Sequence, residues 1–316
     1  MQCGQLLTLL TESVERNSAD ALLLSGGLDS SILASIMHPK YSVSAGFGSD
    51  APDFAYARQV AGKYCSNHVE VIFDRNRMTE LVERVIGVLR TFDPIEIRNS
   101  AVALAGLEQA GSDSFSAVMT GDGGDELFAG YNYLARYYSD MQRLDSELQR
   151  LWQVMHFASR DLGEHIGIAV KMPFLDEKFK SFAKSISVDQ KIGERDNRKW
   201  GKFILRHCFE PALGSLAWRP KLAQEQGAAT GKYGEFIERM IDNLTFANKI
   251  KISKAQEGVT IRSKEHLHYY EIFKKHFPLP REEDCESRCP ECNGCIARSG
   301  RFCRICGGFP VTPISL

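Results

Sequence analysis

The first 120 residues alternate between short apolar runs and segments with helical patterning. Residues 5–16 carry leucines at helical spacing, which predicts an amphipathic helix. Apolar runs predict strands at residues 21–24, 41–45, 69–73 and 115–119. Helical patterning follows Ser30 and covers residues 53–64, 78–89 and 99–109. This alternation indicates an α/β fold with a parallel twisted sheet covered by helices on both faces.

After about residue 135 the strand pattern fades, and the second half is expected to be largely helical. Helical patterning covers residues 144–157, 177–185, 199–208 and 233–243. Pro-Leu-Pro at residues 278–280, followed by four charged residues at 281–284, predicts a linker. The expected organisation is therefore one domain over residues 1–280 and a small Cys-rich, metal-binding module over residues 281–316.

Composition narrows the class of protein without identifying it. The 316 residues are 43% hydrophobic and 25% charged, with a net charge of −1, so no global field favours nucleic acid or an anionic membrane. No apolar run approaches the roughly 18 residues of a membrane span, and the first residues lack the features of a signal peptide. We expect a cytoplasmic protein with no membrane partner.

Six of the nine cysteines lie between Cys285 and Cys306. In a cytoplasmic chain such a cluster favours metal binding over disulfides. The scattered Cys65 and Cys208 are expected to be small core residues, and Cys3 has no predicted role.

The stretch SGGLDSS, Ser25–Ser31, lies between a predicted strand and a predicted helix. Glycines let the backbone approach a ligand closely, and the free N–H groups of a helix N-terminus bind anions. The stretch lacks the GxxxxGK[ST] pattern of a P-loop, and Asp29 adds a negative charge instead of a lysine. A divalent cation held by Asp29 against phosphates explains that charge; the alternative is an ordinary capped turn.

A second glycine-rich stretch, TGDGGDELFAGY, covers residues 120–131 and also follows a predicted strand. It carries the carboxylates Asp122, Asp125 and Glu126. Ligands of parallel α/β sheets bind beyond the carboxyl ends of the strands, so the two loops are expected to face one site. Asp29 and Asp125 would then share a Mg²⁺ that bridges phosphates; the alternative is an acidic, capped helix start.

Together these stretches resemble the synthetase domain of the asparagine synthetase family, within the ATP-pyrophosphatase superfamily. Five further stretches resemble the family in the same order, so the resemblance covers roughly residues 5–280. They are DFAYARQVA (53–61), FDPIEIRNS (92–100), VKMPFLD (170–176), WRPKLAQEQG (218–227) and IRSKEHLHYYEIF (261–273). The resemblance implies an adenine nucleotide alpha hydrolase-like fold and an ATP-dependent, AMP-forming ligase. Such an enzyme adenylylates a small carboxylate substrate, releases pyrophosphate and passes the acyl group to a nucleophile, usually ammonia.

The resemblance also assigns roles to individual residues. Asp29 and Asp125 would bind Mg²⁺, and Lys221 would stabilise the charge that develops at the phosphates. Arg98 would pair with a substrate carboxylate or phosphate, or else form an internal salt bridge. Pyrophosphate would be held by Ser25, Gly26, Gly27, Asp29, Ser30 and Ser31, and adenosine by the backbone of Leu24, Gly46 and Gly121.

The sequence departs from the family at two points before the tail. No glutaminase domain precedes the first loop, so the nitrogen source is expected to be free ammonia or a separate donor protein. Ala169 stands where the family has a carboxylate, and alanine cannot accept a proton. One alternative is that Asp161, Glu164 or Glu225 takes the place of this carboxylate. The other is that the nucleophile needs no base at this position, because a thiolate, for example, has no proton to lose.

The tail contains two CxxC pairs. Cys289, Cys292, Cys303 and Cys306 would form a Cys₄ zinc site. Alternatively Cys285, Cys289, Cys292 and Cys295 would bind Zn²⁺ or an iron–sulfur cluster. The metal would either stabilise a segment that is too short to build its own core or hold that segment in a shape that serves a function.

The arginines of the tail raise an alternative function. Arg288, Arg298, Arg301 and Arg304 suit the phosphates of tRNA. The protein would then be an adenylating sulfur-transfer or tRNA-modifying enzyme, with the tail as RNA module or sulfur carrier and a sulfur-donor protein as partner. A third hypothesis, a catalytically inactive nucleotide sensor or partner-binding protein, is disfavoured because Asp29, Asp125 and Lys221 are all present. A homodimer is compatible with every reading.

Overall fold

A computed structural model describes residues 2–280, 285–298 and 300–315. The strands are β1 (Ala21–Leu23), β2 (Tyr41–Phe47), β3 (Asn67–Phe73), β4 (Ala117–Met119), β5 (Ala169–Lys171), β6 (Ile192–Arg195), β7 (Arg198–Gly201), β8 (Ser287–Arg288) and β9 (Ile314–Ser315). The helices of the first half are α1 (Cys3–Arg16), α2 (Leu28–Met37), α3 (Pro52–Tyr64), α4 (Arg75–Leu89), α5 (Pro94–Ser112), α6 (Gly124–Leu127) and α7 (Met141–Gln153). Those of the second half are α8 (Ala158–His165), α9 (Glu177–Ser185), α10 (Val188–Lys191), α11 (Phe203–Leu213), α12 (Gln224–Gly227), α13 (Gly231–Met240), α14 (Asn243–Ile252) and α15 (Lys264–His276).

The central sheet has five strands in the order β3-β2-β1-β4-β5. Strand β1 pairs in parallel with β2 on one side and with β4 on the other, and β4 pairs in parallel with β5. The chain therefore moves outward from β1 to β3 and then returns to the other side of β1. Because crossovers are right-handed, moves in opposite directions place their helices on opposite faces of the sheet. This confirms the predicted α/β architecture and locates a topological switch point between β1 and β4.

The predicted elements of the first half are present with small shifts of their ends. The amphipathic helix predicted at residues 5–16 is α1, and its buried stripe contains Leu6, Leu10 and Val14, four residues apart. Two side chains at its C-terminal end hold the helix against the segment after β5. The Ser13 hydroxyl donates to the carbonyl of Pro173 at 2.6 Å, and Arg16 pairs with Asp176 at 2.7 Å.

Two parts of the second half differ from the prediction. The fifth strand of the sheet, β5, is only three residues long and was too short to show a pattern. The helix predicted at residues 199–208 is wrong in its first part, because residues 198–201 form β7 of an antiparallel hairpin. Asp196 and Asn197 adopt φ values of 53° and 58°, and a two-residue turn with positive φ at both positions matches the twist of a hairpin. The helix itself, α11, begins at Phe203.

A disulfide joins Cys3 of α1 to Cys208 of α11. Cys208 is buried in the core, as predicted, whereas the disulfide gives Cys3 a partner that the sequence did not indicate. Their Cα atoms lie 5.3 Å apart, within the normal range for a disulfide, although the two cysteines are 205 positions apart in sequence. Cys65 lies partly buried against the same hydrophobic core, as predicted.

The chain divides into two compact units. The first contains Met1–Ala45, Pro52–Val71 and Gly106–Ala223, and its core lies among α1, α2, α3, α9 and α11. The second contains Gly46–Ala51, Ile72–Ala105 and Gln224–Leu316. In the second unit Phe92 packs against His266, Tyr270 and Phe273, with ring centroids 4.9–5.2 Å apart.

The described Cys-rich residues belong to the second unit. The backbone N–H of Phe92 donates to the carbonyl of Ile305 at 2.7 Å, which attaches them to the segment before α5. The charged half of the predicted linker, residues 281–284, lies outside the described residues, and the domain boundary at residue 280 stays a prediction. No helix among the described residues is long and apolar enough to span a membrane.

Candidate active site and metal centre

The first glycine-rich loop forms a tight turn between β1 and the N-terminus of α2. Gly26 has a φ of +66°, and a Cβ atom there would lie 2.5 Å from the backbone nitrogen of Ala57, so no other residue fits. Gly27 precedes the first turn of α2, and its carbonyl accepts a hydrogen bond from the Ser31 hydroxyl at 2.7 Å. The Ser25 hydroxyl accepts from the N–H of Gly27 at 3.2 Å. These contacts fix a turn whose backbone N–H groups suit an anion.

The second glycine-rich loop lies against the first. A Cβ atom on Gly121 would lie 3.0 Å from the Cβ atom of Asp29, and one on Gly124 would lie 2.5 Å from Asp29 Oδ1. Gly123 has a φ of +96° and precedes α6, which carries Asp125 in its first turn. The glycines thus allow two backbone segments, which follow neighbouring strands, to approach within van der Waals contact.

Two lysines complete this acidic cluster. Lys202 forms an ion pair with Asp29 and another with Asp125, at 2.7 Å for the latter. Lys221 forms an ion pair with the other oxygen of Asp125 at 2.5 Å. Lys202 is only 2% exposed, and it adopts a φ of 54° just before α11. Two carboxylates and two ammonium groups therefore balance one another in a buried position.

The charges of this cluster control one another's pKa values. Burial alone would raise the pKa of Asp125, but the attraction of Lys202 and Lys221 outweighs burial and holds that pKa below its usual range. Burial likewise works against the charge of Lys202, yet Asp125 and Asp29 raise its pKa. Asp29 pairs directly with Lys202 alone, so the effect of burial outweighs that attraction and raises the pKa of Asp29.

The residues present fit a divalent cation. Asp29 Oδ1 is buried and has no hydrogen-bond partner within the described chain, so one carboxylate oxygen is left to coordinate a ligand. Two carboxylates are the oxygen ligands that Mg²⁺ commonly takes from a protein beside substrate phosphates.

Two arginines hold the segment that carries Lys221. Arg206 donates to the carbonyls of Ala217 and Arg219 at 2.7 and 3.0 Å. Arg219 in turn pairs with Asp53 at 2.5 Å, and its guanidinium lies 3.7 Å from the ring centroid of Tyr56. The position of Lys221 is therefore fixed by buried contacts, although its own side chain is 27% exposed.

The remaining predicted nucleotide contacts lie as follows. Leu24 is buried at the end of β1, and its N–H donates to the carbonyl of Val43 at 2.8 Å. Ser30 is buried in the first turn of α2, with its hydroxyl 3.2 Å from that of Ser25. Gly46 is a buried residue of β2 and falls in the second compact unit.

Three other residues named from the sequence have a described environment. Arg98 forms an ion pair with Glu265, as the internal alternative predicted. Ala169 is exposed at the start of β5, and no carboxylate replaces it there in sequence. Asp161 pairs with His156 at 2.8 Å.

Lys202 is the one residue of this cluster that the sequence analysis did not single out. The only local signal was Gly201-Lys202 ahead of a helical segment, a common pattern with no chemistry of its own. Its role follows from the ion pair with Asp29, which is 173 positions away in sequence.

The described residues of the tail contain a second buried cluster, of four cysteines. Cys289, Cys292, Cys303 and Cys306 are at most 1% exposed, and their sulfur atoms all lie within 4.8 Å of one another. The sulfur atoms of Cys289 and Cys306 are 3.8 Å apart, and those of Cys292 and Cys303 are 3.6 Å apart. The N–H of Glu291 donates to the sulfur of Cys289 at 3.4 Å, as backbone groups do around metal-bound thiolates.

The other two cysteines of the tail are not in this cluster. Cys285 and Cys295 are joined to each other by a disulfide, with Cα atoms 5.5 Å apart. The structure therefore brings together the two CxxC pairs and separates them from Cys285 and Cys295.

The sheet order and the paired glycine loops define an α/β protein with a candidate anion site at the switch point of its sheet. Comparison with known proteins makes the family specific. The profile of the asparagine synthase family matches residues 5–166 and 147–289. The chain belongs to this family, which confirms the resemblance seen in the sequence.

Individual relatives give the extent of the match. Glutamine-hydrolysing asparagine synthetases of Gallus gallus and Homo sapiens are 32% and 29% identical to the chain, and each match covers 81% of the chain and 48% of the relative. The chain thus spans about half the length of the curated relatives it matches. A crystal structure of a predicted tRNA methyltransferase subunit from Methanocaldococcus jannaschii is 19% identical, covers 60% of this chain and 87% of its own, and has a TM-score of 0.26. That likeness is too low to bear on function.

Proposed function

We propose that the protein is an ATP-dependent, AMP-forming ligase that adenylylates a carboxylate and transfers the acyl group to ammonia or another nucleophile. The observation that carries this proposal is the meeting of two glycine-rich loops with Asp29, Asp125, Lys202 and Lys221. Membership of the asparagine synthase family supports the same reaction class.

In the first step a substrate carboxylate oxygen attacks the α-phosphorus of ATP. A bond forms between that oxygen and phosphorus, the bond to the bridging oxygen breaks, and pyrophosphate leaves with the electron pair. The backbone N–H groups and hydroxyls of residues 25–31 would bind the departing pyrophosphate. Mg²⁺, held by Asp29 and Asp125, would supply a divalent charge that neutralises the phosphates.

Lys221 would stabilise the negative charge that develops on the phosphates in this step. Its ammonium is held beside Asp125 by a backbone segment that Arg206 and Arg219 fix, so little reorganisation is needed when the charge appears. Lys202 would keep the two buried carboxylates ionised and in place, because it pairs with both.

In the second step the nucleophile attacks the acyl carbon, and AMP leaves with the electrons of the broken carbon–oxygen bond. Ammonia must also lose a proton as the amide forms, and Ala169 offers no group that accepts one. Asp161, Glu164 or Glu225 would therefore take that proton if ammonia, delivered free or by a separate donor protein, is the nucleophile. A nucleophile that attacks as an anion has no such proton to lose.

Adenylation followed by sulfur transfer, with tRNA as acceptor, is the second candidate function. The observation that favours it is the cysteine pair Cys285 and Cys295, which lies outside the four-cysteine cluster. One of these cysteines, carrying a persulfide from a sulfur-donor protein, would attack the adenylated acceptor through its terminal sulfur, and AMP would leave with the electrons of the broken carbon–oxygen bond. Attack by the other cysteine on the remaining sulfur–sulfur bond would then release the product sulfur and form the disulfide.

We further propose that the four clustered cysteines bind one Zn²⁺ ion. A tetrahedral site with Zn–S bonds of about 2.3 Å places the sulfur atoms about 3.8 Å apart. The distances of 3.8 and 3.6 Å within the two opposed pairs agree with this spacing. An iron–sulfur cubane has a separate iron beneath each thiolate and requires wider spacing.

An exchange assay tests the ligase directly. The purified protein is incubated with ATP, Mg²⁺, radiolabelled pyrophosphate and one carboxylate at a time, beginning with aspartate, and label in ATP is counted. We expect exchange with at least one small carboxylate. Lys221→Ala should lower its rate by about 10²- to 10³-fold, the usual loss when one transition-state donor is removed.

The matched control is Lys232→Ala, which removes an exposed lysine that pairs with Asp50. It should exchange pyrophosphate at the wild-type rate. Wild-type exchange in Lys221→Ala would contradict the site assignment. Silence with every small acid, together with AMP formation that depends on tRNA, would favour the second candidate.

A further inference from the structure

The segment 301–311, which we call the second knuckle, exposes large aromatic side chains. Phe302 is 42% exposed and Phe309 is 59% exposed. Arg301 and Arg304, in the same segment, are exposed as well. Two exposed phenylalanines within eight residues are unusual on a protein surface, and Phe302 directly precedes the buried Cys303.

The backbone of the second knuckle determines which side chains face outward. The N–H of Cys303 donates to the carbonyl of Gly308, and the N–H of Val311 donates to the carbonyl of Arg301, both at 2.9 Å. These bonds bring the two arms of the segment side by side. Cys303 and Cys306 are fully buried, so Phe302 and Phe309 lie outside the cysteine cluster on the surface of the arms.

A cation lies beside one of the two aromatic rings. The guanidinium of Arg301 lies 6.0 Å from the ring centroid of Phe309. The hydroxyl of Thr91 donates to the carbonyl of Arg304 at 2.7 Å, which anchors the backbone that carries this second exposed arginine.

Two carboxylates of the described tail are already paired. Glu291 forms an ion pair with Arg262, and Glu286 lies 3.7 Å from Arg298. Within the described part of the tail, Arg301 and Arg304 form no ion pair, so their charges are available to a partner. The second knuckle carries two arginines and no acidic residue, so it is cationic and aromatic.

We propose that this surface binds single-stranded RNA, with bases stacked on Phe302 and Phe309 and phosphates paired with Arg301 and Arg304. Exposed aromatic rings flanked by arginines fit a chain that alternates flat bases with anionic phosphates. A duplex fits poorly, because its bases are stacked within the helix. Among single strands, RNA adds 2′-hydroxyl acceptors for the arginine donors. The inference concerns the tail alone and holds whichever reaction the first unit catalyses.

The test is fluorescence anisotropy of a labelled 12-nucleotide oligouridine with the full-length, zinc-replete protein. We expect saturable binding that weakens as salt rises. Phe302→Leu and Phe309→Leu keep apolar bulk but lose the flat ring, and each should weaken binding about tenfold, because one base loses its stacking partner. Arg301→Gln with Arg304→Gln should make the slope of log K against log salt shallower by about 1.4, or 0.7 for each phosphate contact.

Matched controls separate this surface from general effects. Leu244→Ala removes an exposed apolar side chain of α14, and Arg150→Gln removes an exposed charge of α7; both should bind like wild type. Zinc content and circular dichroism of each variant show whether the tail remains folded. Phe309→Leu, at the more exposed ring, provides the test if Phe302→Leu loses zinc.

Four outcomes would overturn the proposal. They are no binding by the zinc-replete protein, unchanged affinity in both leucine variants, equal affinity for a 12-base-pair RNA duplex, and equal affinity for a single-stranded DNA 12-mer. Binding to anionic lipid vesicles in place of RNA would also overturn it and assign the surface to a membrane.

Discussion

The carboxylate cluster around Asp29 and Asp125 and the four-cysteine cluster are both buried, but their charges are balanced differently. Each carboxylate is paired with at least one lysine of the same unit. Each sulfur atom of the cysteine cluster, by contrast, lies within 4.8 Å of the other three. Lysines therefore balance the charge of the first cluster, whereas the proposed Zn²⁺ would balance the thiolates of the second.

This difference indicates what stabilises the structure around each cluster. Lysines hold the carboxylates in place without any ligand, so under the proposed function the first site would be preorganised for nucleotide and Mg²⁺. Four thiolates in one place repel one another, and a short tail cannot build a core that compensates for this repulsion. The comparison predicts that removing a metal unfolds the tail, while removing a lysine destabilises the first unit.

The largest expected effect comes from removing metal ligands. Cys303→Ser with Cys306→Ser should abolish zinc binding and unfold the tail, because structural zinc contributes roughly 10–16 kcal/mol to the folding of small zinc modules. Metal analysis and hydrogen exchange of residues 285–315 would measure this. Cys65→Ser is the control, since Cys65 is a free cysteine in the first unit.

A further variant identifies which four cysteines bind. Cys285→Ser with Cys295→Ser removes the disulfide but leaves the buried cluster intact, so its zinc content should equal that of wild type. Full zinc in the Cys303 and Cys306 variant, or loss of zinc in the Cys285 and Cys295 variant, would refute the ligand assignment.

The next largest effect is expected from Lys202→Met. It leaves Asp29 and Asp125 as neighbouring buried carboxylates with Lys221 as their remaining lysine, and breaking a buried pair costs about 3–5 kcal/mol. Urea unfolding would measure the loss. Adding Asp29→Asn should restore part of the stability, because it removes one of the two negative charges. Unchanged stability in the single variant would contradict the charge balance described here.

Lys191 offers a contrast with Lys202. It is also a buried lysine, but within the described chain its nitrogen forms no ion pair with a carboxylate. It is fully buried, its Nζ has no hydrogen-bond partner in the described chain, and it lies 4.7 Å from the ring centroid of Trp152. Burial lowers the pKa of Lys191 from 10.5 to about 8. Lys191→Met should therefore stabilise the protein at pH 7 by at most about 3.5 kcal/mol, since the pKa falls by about 2.5 and each pKa unit corresponds to about 1.4 kcal/mol.

The pH dependence of this effect has a definite sign. Between pH 8 and 10.5 the unfolded chain binds the Lys191 proton more tightly than the folded chain, so this residue makes stability rise with pH in that window. The advantage of Lys191→Met should accordingly shrink from pH 8 and vanish near pH 10.5. A variant less stable than wild type at pH 7 would contradict the cost assigned to Lys191.

The smallest effect on stability is expected for an exposed lysine–aspartate ion pair. Lys232 and Asp50 are 2.6 Å apart with both side chains about half exposed or more. Water screens such pairs, and many contribute nothing measurable to stability. Lys232→Met should leave the melting temperature unchanged; a marked drop would show that burial is not what separates the two classes of pair.

The sequence predicted the parts of the site that local motifs encode. Ser25–Ser31 and residues 120–131 could be recognised because glycines, strand ends and carboxylates occur together within a dozen residues. The spacing of the two CxxC pairs likewise predicted one of the two cysteine groupings considered, and the structure brings that group together.

The parts that could not be predicted depend on residues far apart in the chain. Lys202 meets Asp29 across 173 positions, and Cys3 meets Cys208 across 205. No local pattern signals such a contact. The hairpin of β6 and β7 was missed for a different reason, because its turn lacks the usual glycine and relies on Asp196 and Asn197 at positive φ.

The most direct test of the proposed reaction is the fate of the substrate carboxylate oxygen. With a carboxylate labelled with ¹⁸O, ATP and the nucleophile, adenylylation predicts that one labelled oxygen appears in AMP, as seen by mass spectrometry. Turnover that leaves AMP unlabelled would contradict the proposed adenylate, because no carboxylate oxygen would then have bonded to the α-phosphorus.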